Sequence, residues 1–124
     1  MGTRTTEIWM YSGPGWGETM DLTGYKVEAL DGSIGKIDRA TYETGASFIV
    51  VDTGPWIFGK KVLLPAGVID RIDRDDEKVY VHRTKDEIKN APEFDEDRLD
   101  ESYRSELGTY YGPGGRGWRE RSSR

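Results

Sequence analysis

The chain has 124 residues, of which 35% are hydrophobic and 33% charged, and its formal net charge is −5 at pH 7. This length suits one domain with appendages, and the acidic charge excludes a nucleic-acid-binding surface spread over the whole domain, which needs clustered Lys and Arg. The lack of cysteine excludes disulfides, thiolate metal sites and cysteine nucleophiles. No stretch has the pattern of a signal peptide or a membrane span, so we expect a cytoplasmic protein.

Residues 1–23 are predicted to be an N-terminal arm and not a domain. The glycines and the proline around Trp16 forbid a regular element there. The aromatic side chains of this arm are either exposed or docked on the domain that follows.

Residues 24–83 are predicted to form one small closed β-barrel. Short apolar runs with alternating or continuous hydrophobicity are separated by Gly, Pro and Asp turns. Asp31-Gly32 has the residue types of a tight hairpin turn, and Pro65 marks the end of a strand or a sheet edge. The pattern predicts six antiparallel strands in a meander, at 25–30, 33–42, 47–52, 60–65, 68–73 and 78–83.

Residues 84–108 are predicted to be helical. Thr84 and Glu87 have the spacing of a capping box, which starts a short helix ending near Asn90. A second helix is expected to carry an apolar stripe and to end at Gly108. The residues of that stripe are Leu99, Tyr103 and Leu107.

Residues 109–124 form a Gly- and Arg-rich tail that is predicted to be disordered unless a partner orders it. Its charge is opposite to that of the preceding segment: residues 84–107 have a net charge of −5 and residues 108–124 one of +3. This contrast is typical of a solvated helix and a polar tail. Alternatively, the tail folds back on the helix or reaches an acidic partner.

From residue 24 to about residue 112 the chain resembles the PRC-barrel family. The resemblance is carried by residues 27–37, 44–46, 62–65, 69–73 and 79–81, and by 88–94, Tyr103 and 110–112. It implies a small β-barrel that binds or scaffolds other proteins and has no shared active site. The last segment is most similar to free-standing bacterial members, some of which are joined to a stress-associated domain. The reaction centre H subunit and the C-terminal domain of ribosome maturation factor are other relatives of this fold.

The residues suited to catalysis or metal binding do not form a recognisable set. His82 is the only histidine, and no serine lies in a nucleophile turn. The carboxylates between 70 and 77 lack the glycine and the terminal glutamate of a calcium loop. We therefore expect no enzymatic activity, no cofactor and no metal.

Aromatic residues are the candidates for partner binding. Trp56 and Phe58 either plug one end of the barrel or stand out as an interface anchor. Leu99 and Tyr103 are expected to be contact or packing residues, with Trp16, Tyr110 and Tyr111 as secondary candidates. The expected partner is a protein, either another chain or a second copy in a homodimer or larger homo-oligomer.

An RNA- or ribosome-associated factor is the alternative function. Arginine and aromatic side chains together suit phosphate contact and base stacking. The acidic charge of the domain counts against this function. The residues that would serve it are Arg116, Trp118, Arg119, Arg121 and Arg124.

Overall fold

The computed structural model describes residues 8–11, 21–42, 46–54, 60–95, 97 and 99–119. The protein is mainly β, and the described residues include six strands, a short 3-10 helix and two α-helices. In chain order these are β1 Lys26–Ala29, β2 Gly32–Ala40, β3 Phe48–Asp52, β4 Lys61–Pro65, the 3-10 helix Ala66–Val68, β5 Ile69–Asp73, β6 Lys78–Val81, α1 Lys85–Lys89 and α2 Glu101–Tyr111. The six predicted strands are confirmed, with shorter ends.

The strands form one mixed sheet in the order β4-β3-β2-β1-β6-β5. Every neighbouring pair is antiparallel except β1 and β6, which are parallel. The predicted all-antiparallel meander was therefore wrong at this pair. The reason is the connection after β4, at which the chain does not reverse direction. Strands β4 and β5 therefore both run antiparallel to β1, and β6, which reverses after β5, runs parallel to β1.

The corner between β4 and β5 is the 3-10 helix Ala66–Val68, and it joins the two edges of the sheet. The Ala66 N–H donates to the Ser47 carbonyl at 3.0 Å, beyond the end of the β3–β4 ladder, and the His82 N–H donates to the Val68 carbonyl at 2.8 Å, beyond the β5–β6 ladder. Within the part of the chain that the structure describes, no ladder joins β4 to β5, and the sheet is open.

Buried residues lie on both faces of the sheet at its β3–β4 side, where Leu63 and Leu64 are both buried. Strand β3 is buried from Phe48 to Val51, as its continuous apolar run predicted. Gly35, at φ +147°, lets β2 pass close to β3, since a Cβ there would collide with the Asp52 carbonyl.

The β1–β2 hairpin is confirmed, but its turn residues are Leu30 and Asp31, one position earlier than predicted, and Gly32 is the first residue of β2. The edge position of Pro65 is confirmed.

Helix α2 begins and ends later than predicted. The Asp100 side chain caps it by accepting from the Tyr103 N–H at 2.9 Å, so Leu99 precedes the helix. The buried stripe consists of Tyr103, Leu107 and Tyr111. Gly108 is therefore not the cap; Gly112 is.

Part of the N-terminal arm belongs to the core. Ile8 and Trp9 are buried, and their carbonyls accept hydrogen bonds from Gly67 N–H at 2.7 Å and Ser47 N–H at 2.8 Å. The Trp9 indole packs on α2 where Gly108 offers no side chain: a Cβ there would lie 2.9 Å from the Trp9 Nε1. Of the two arrangements expected for the aromatics of this arm, docking is the one that Trp9 adopts.

Candidate binding site

A groove of about 430 Å³ lies between the edge strand β4 and the segment that follows α1. Its floor is apolar, with Val62 and Leu63 from β4, Ile88 from α1 and Tyr111 from α2. The opposite wall is the stretch 90–94, which contains Ala91, Pro92 and Phe94. Volumes of this size are typical of ligand sites in proteins.

Local sequence signals position the wall of the groove that α1 supplies. The Thr84 hydroxyl accepts from the Glu87 N–H at 3.2 Å, and the Glu87 carboxylate accepts from the Thr84 N–H at 2.8 Å. This confirms the capping box. The Lys85 N–H also donates to the Asp31 carboxylate at 2.8 Å, which ties the start of α1 to the β1–β2 turn. Ile88 then points into the core, and Asn90 ends the helix at the rim of the groove.

The rim of the groove is basic, although the chain as a whole is acidic. Among the described residues, Lys60, Lys61 and Lys89 line it together with one carboxylate, Glu93, so these four charges sum to +2. Lys60 forms an ion pair with Glu93, and the Lys61 ammonium lies 3.2 Å from the Asp38 carboxylate. Lys89 is exposed to solvent. These pairs are at the surface and are therefore weak and exchangeable.

A second, smaller groove of about 200 Å³ lies on the other side of the 92–95 segment and is acidic. Glu93, Asp95 and Glu106 line it together with Pro92, Ser102 and Tyr103. The Tyr103 ring packs on Phe94 with 6.1 Å between centroids. Its hydroxyl is buried and has no hydrogen-bond partner among the described residues, and burial raises the pKa of this phenol.

The tail covers the opposite side of α1 through Glu87. The Arg119 guanidinium binds the Glu87 carboxylate with both Nε and an Nη, each at 3.1 Å. The Tyr110 hydroxyl donates to the Glu87 carbonyl at 2.7 Å, and the Gly117 N–H donates to the Tyr110 carbonyl at 2.9 Å. The prediction of a disordered tail was therefore wrong for residues 109–119, and the alternative, that the tail folds back on the helical segment, is confirmed. The first three residues continue α2 and the rest fold back on α1.

Two opposing effects act on the pKa of Glu87. Partial burial raises it, whereas hydrogen bonds from Thr84 and Arg119 and the positive charge of Arg119 lower it. The lowering effects together are larger, so the pKa of Glu87 lies below its ordinary value. The carboxylate is thus held ionised by the same contacts that attach the tail.

Beneath the tail, Arg83 is buried between aromatic rings. Its guanidinium carbon lies 5.7 Å from the centre of the Tyr111 ring and 5.6 Å from that of the Trp118 ring. One Nη of the same guanidinium donates to the Tyr111 carbonyl at 3.0 Å. The Tyr111 side chain is fully buried, and its hydroxyl has no partner in the described part of the chain. Tyr111 therefore separates two regions, the groove on one side and the tail on the other.

The predicted binding residues fall into three groups. Trp16, Trp56, Phe58, Arg121 and Arg124 lie outside the described residues. Tyr103 and Tyr111 are buried and Leu99 is half-buried against the core, which makes all three packing residues in the single chain. Tyr110 is half-buried and donates a hydrogen bond to the Glu87 carbonyl, and Arg119 forms an ion pair with the Glu87 carboxylate. Arg116 is exposed, and Trp118 is 38% exposed.

Apart from Tyr111, a secondary candidate, the groove residues were not predicted from the sequence as a site. Lys89 is distant in sequence from the adjacent Lys60 and Lys61, and all three resemble ordinary surface residues, so only the fold brings them together. A weak signal was present in Phe94, an apolar residue two positions after Pro92 in an otherwise acidic stretch.

Among the described residues, no three His, Asp or Glu side chains are arranged to hold a metal ion, and no helix is long and apolar enough to cross a membrane. In the comparisons with known proteins, no family model and no curated protein matches this chain.

Proposed function

We propose that the protein is a non-enzymatic, PRC-type β-barrel module that binds or scaffolds other proteins in the cytoplasm and associates with copies of itself. A stress-associated role follows from the resemblance to free-standing bacterial members. The partner-binding surface comprises the groove beside β4 and the β3–β4 connection that carries Trp56 and Phe58.

The topology supports the barrel part of the proposal. The two edge strands, β4 and β5, are joined by only three residues, and the backbone at this corner extends the ladders on both sides. Because β4 leads directly into β5 without reversing direction, the chain passes from one edge of the sheet to the other and bends the sheet back on itself, as a small barrel requires.

The position of Lys60 is the observation that supports the binding part most. Lys60 follows residues 55–59 directly, its carbonyl accepts from the Thr53 N–H at 3.3 Å, and its side chain lines the rim of the apolar groove. Trp56 and Phe58 are therefore tethered within a few residues of that groove. Large aromatic side chains next to an apolar depression are typical of interface anchors.

Replacement of Trp56 by alanine tests this proposal. The variant is expected to weaken self-association in sedimentation or light-scattering measurements, with an almost unchanged melting temperature, because an interface anchor contributes little to the isolated fold. Trp118→Ala is the matched control, since it removes the same side chain from the tail. Loss of thermal stability on Trp56→Ala without a change in association would show that Trp56 belongs to the core.

Partner capture should use the full chain. Cross-linked pull-down with wild type and with Trp56→Ala, analysed side by side, identifies proteins held by the hairpin. A variant limited to residues 24–112 is a poor comparator because it lacks Ile8 and Trp9, which are part of the core. Measured turnover by the purified protein would contradict the non-enzymatic part of the proposal.

RNA association through the tail has less support. Arg119 is occupied by Glu87, and the Trp118 ring lies against Arg83, so two of the three described candidates already have contacts within the chain. If RNA binds, affinity should fall steeply with added salt and should depend on Arg116.

A further inference from the structure

The basic apolar groove has a charge that selects the chemistry of its occupant. The charged lining residues that the structure describes sum to +2 in a chain of net charge −5, and the floor of the groove is built of aliphatic and aromatic side chains. We infer that this groove binds a short acidic segment of a partner protein, with one apolar side chain of that segment seated between Val62 and Phe94. This inference rests on the proposed protein-binding function and specifies the partner's chemistry.

The apolar part of the groove fits a single large side chain. Val62, Ala91 and Phe94 are half-buried, so each still exposes surface that an incoming side chain would cover. Leu63, Ile88 and Tyr111 lie buried beneath them and give the groove a packed base. Burial of apolar surface against such a base is the main source of affinity in small interfaces.

The lysines supply the selectivity for carboxylates. Lys89 is exposed at the end of α1, and Lys60 and Lys61 stand on the β4 side, so an acidic segment lying along the groove has ammonium groups on both flanks. Both β4-side lysines already contact a carboxylate, Glu93 and Asp38 respectively. Incoming carboxylates therefore exchange with surface ion pairs, which are weak individually.

The acidity of the rest of the chain does not prevent this binding. At physiological salt the screening length is about 8 Å, so acidic residues farther than this from the groove act only weakly on its occupant. The adjoining acidic groove, lined by Glu93, Asp95 and Glu106, repels carboxylates from the far side of the 92–95 segment. The acidic segment is thereby confined to the side facing β4.

A nuclear magnetic resonance titration of the full chain tests the inference. The probe is the N-acetylated, C-amidated pentapeptide Asp-Glu-Phe-Asp-Glu, compared with the same peptide carrying Gly for Phe and with Lys-Lys-Phe-Lys-Lys. Amide shifts concentrated at Val62, Lys89 and Ala91, caused by the first peptide and much less by the other two, are the expected result.

Charge variants make the test specific. Lys89→Glu is expected to weaken binding of the acidic peptide by about fivefold, the effect of one solvent-exposed charge pair. Lys26→Glu, the same change at an exposed site on β1 that does not line the groove, should alter it by less than about twofold. Equal effects of the two variants would overturn the inference, as would preferential binding of the basic peptide.

Two further results would also overturn it. Nuclear Overhauser contacts from residues 56–58 to Val62 or Phe94 in the free protein would show that the chain's own hairpin fills the groove. Concentration-dependent shifts of the same amides without peptide would show that a second copy does.

If Trp56→Ala abolishes association while the acidic peptide fails to bind, only the inference about the groove is lost. If the peptide binds and Trp56→Ala changes nothing, only the proposed role of the hairpin is lost.

Discussion

The two sides of α1 differ in how completely they are covered. On one side the tail closes over Glu87, with the Arg119 ion pair, the Tyr110 hydrogen bond and Arg83 beneath. On the other side Lys89 and Asn90 border an open groove whose half-buried apolar residues have no described cover. One five-residue helix thus separates a junction that stabilises the fold from a surface available for binding.

This contrast indicates that mutations at the tail junction and mutations at the groove should have different effects. At the tail junction, charged and polar groups meet partners of the same chain, so changes there should affect stability. At the groove, the charges are only loosely paired at the surface, so changes there should affect binding and leave the fold intact.

Removal of the Tyr111 ring should have the largest effect, because this side chain lies between the junction and the groove. Tyr111→Ala is expected to lower the free energy of unfolding by about 3 to 5 kcal/mol through loss of buried contacts and creation of a cavity. Chemical denaturation measures this loss. A change below about 1 kcal/mol would show that the two regions are not joined through Tyr111.

Loss of the Glu87 carboxylate should have the next largest effect. Glu87→Ala is expected to cost about 1 to 2 kcal/mol at pH 7, because it removes the capping acceptor and the ion pair with Arg119. Glu106→Ala, a change at an exposed position of α2, is the control and should cost less than about 0.5 kcal/mol.

The effect of Glu87→Ala should also depend on pH. Since the pKa of Glu87 is lower in the folded than in the unfolded chain, its stabilising contribution is full above the ordinary value of 4.5 and is lost as pH falls below it. The difference between wild type and variant should therefore shrink in acid. A constant difference from pH 7 to pH 3 would contradict the ion pair with Arg119.

Removing the hydroxyl from Tyr110 and from Tyr111 should have opposite effects, although the two residues are adjacent. Tyr110→Phe removes a hydrogen bond to Glu87 and is expected to cost about 1 kcal/mol. Tyr111→Phe removes a buried hydroxyl with no described partner and is expected to stabilise the protein by about 1 kcal/mol. Destabilisation by Tyr111→Phe would show that this hydroxyl is bonded to a residue outside the described part.

Reversal of the Lys89 charge should have the smallest effect on stability. Lys89→Glu places a negative charge at the C-terminal end of α1, which costs about 0.5 kcal/mol. The melting temperature should therefore stay close to that of wild type while binding of the acidic peptide falls. A large drop in melting temperature would show that the groove is part of the stabilising structure and not a separate surface.

Much of the fold was predictable because its signals are local. The capping box of Thr84 and Glu87, the β1–β2 hairpin and the strand end at Pro65 each depend on a few neighbouring residues, although the hairpin turn lies one position earlier than predicted. The mainly β class follows from the alternation of apolar residues in the same way. The positions of Trp56 and Phe58, core or interface, stay predictions.

The errors had two causes. The corner at Ala66–Val68 looked like another hairpin turn because the pairing of β6 with β1 depends on distant segments. The start of α2 was misplaced for a local reason: the apolar spacing continues back to Leu99, but Asp100 caps the helix. Glycines in the tail suggested disorder, whereas Gly117 allows close packing against the Tyr110 ring. Composition alone does not reveal such a contact.

By itself, the sequence determined where the strands and the capping box of α1 lie, because those features depend on backbone preferences and hydrogen bonds within a few residues. Only the tertiary structure decided that β6 pairs with β1, that Trp9 packs on Gly108, and that Lys89 meets the Lys60-Lys61 pair at one apolar groove. These contacts join residues far apart in the chain, and they form because burying apolar surface across the whole domain outweighs the preferences of any single segment.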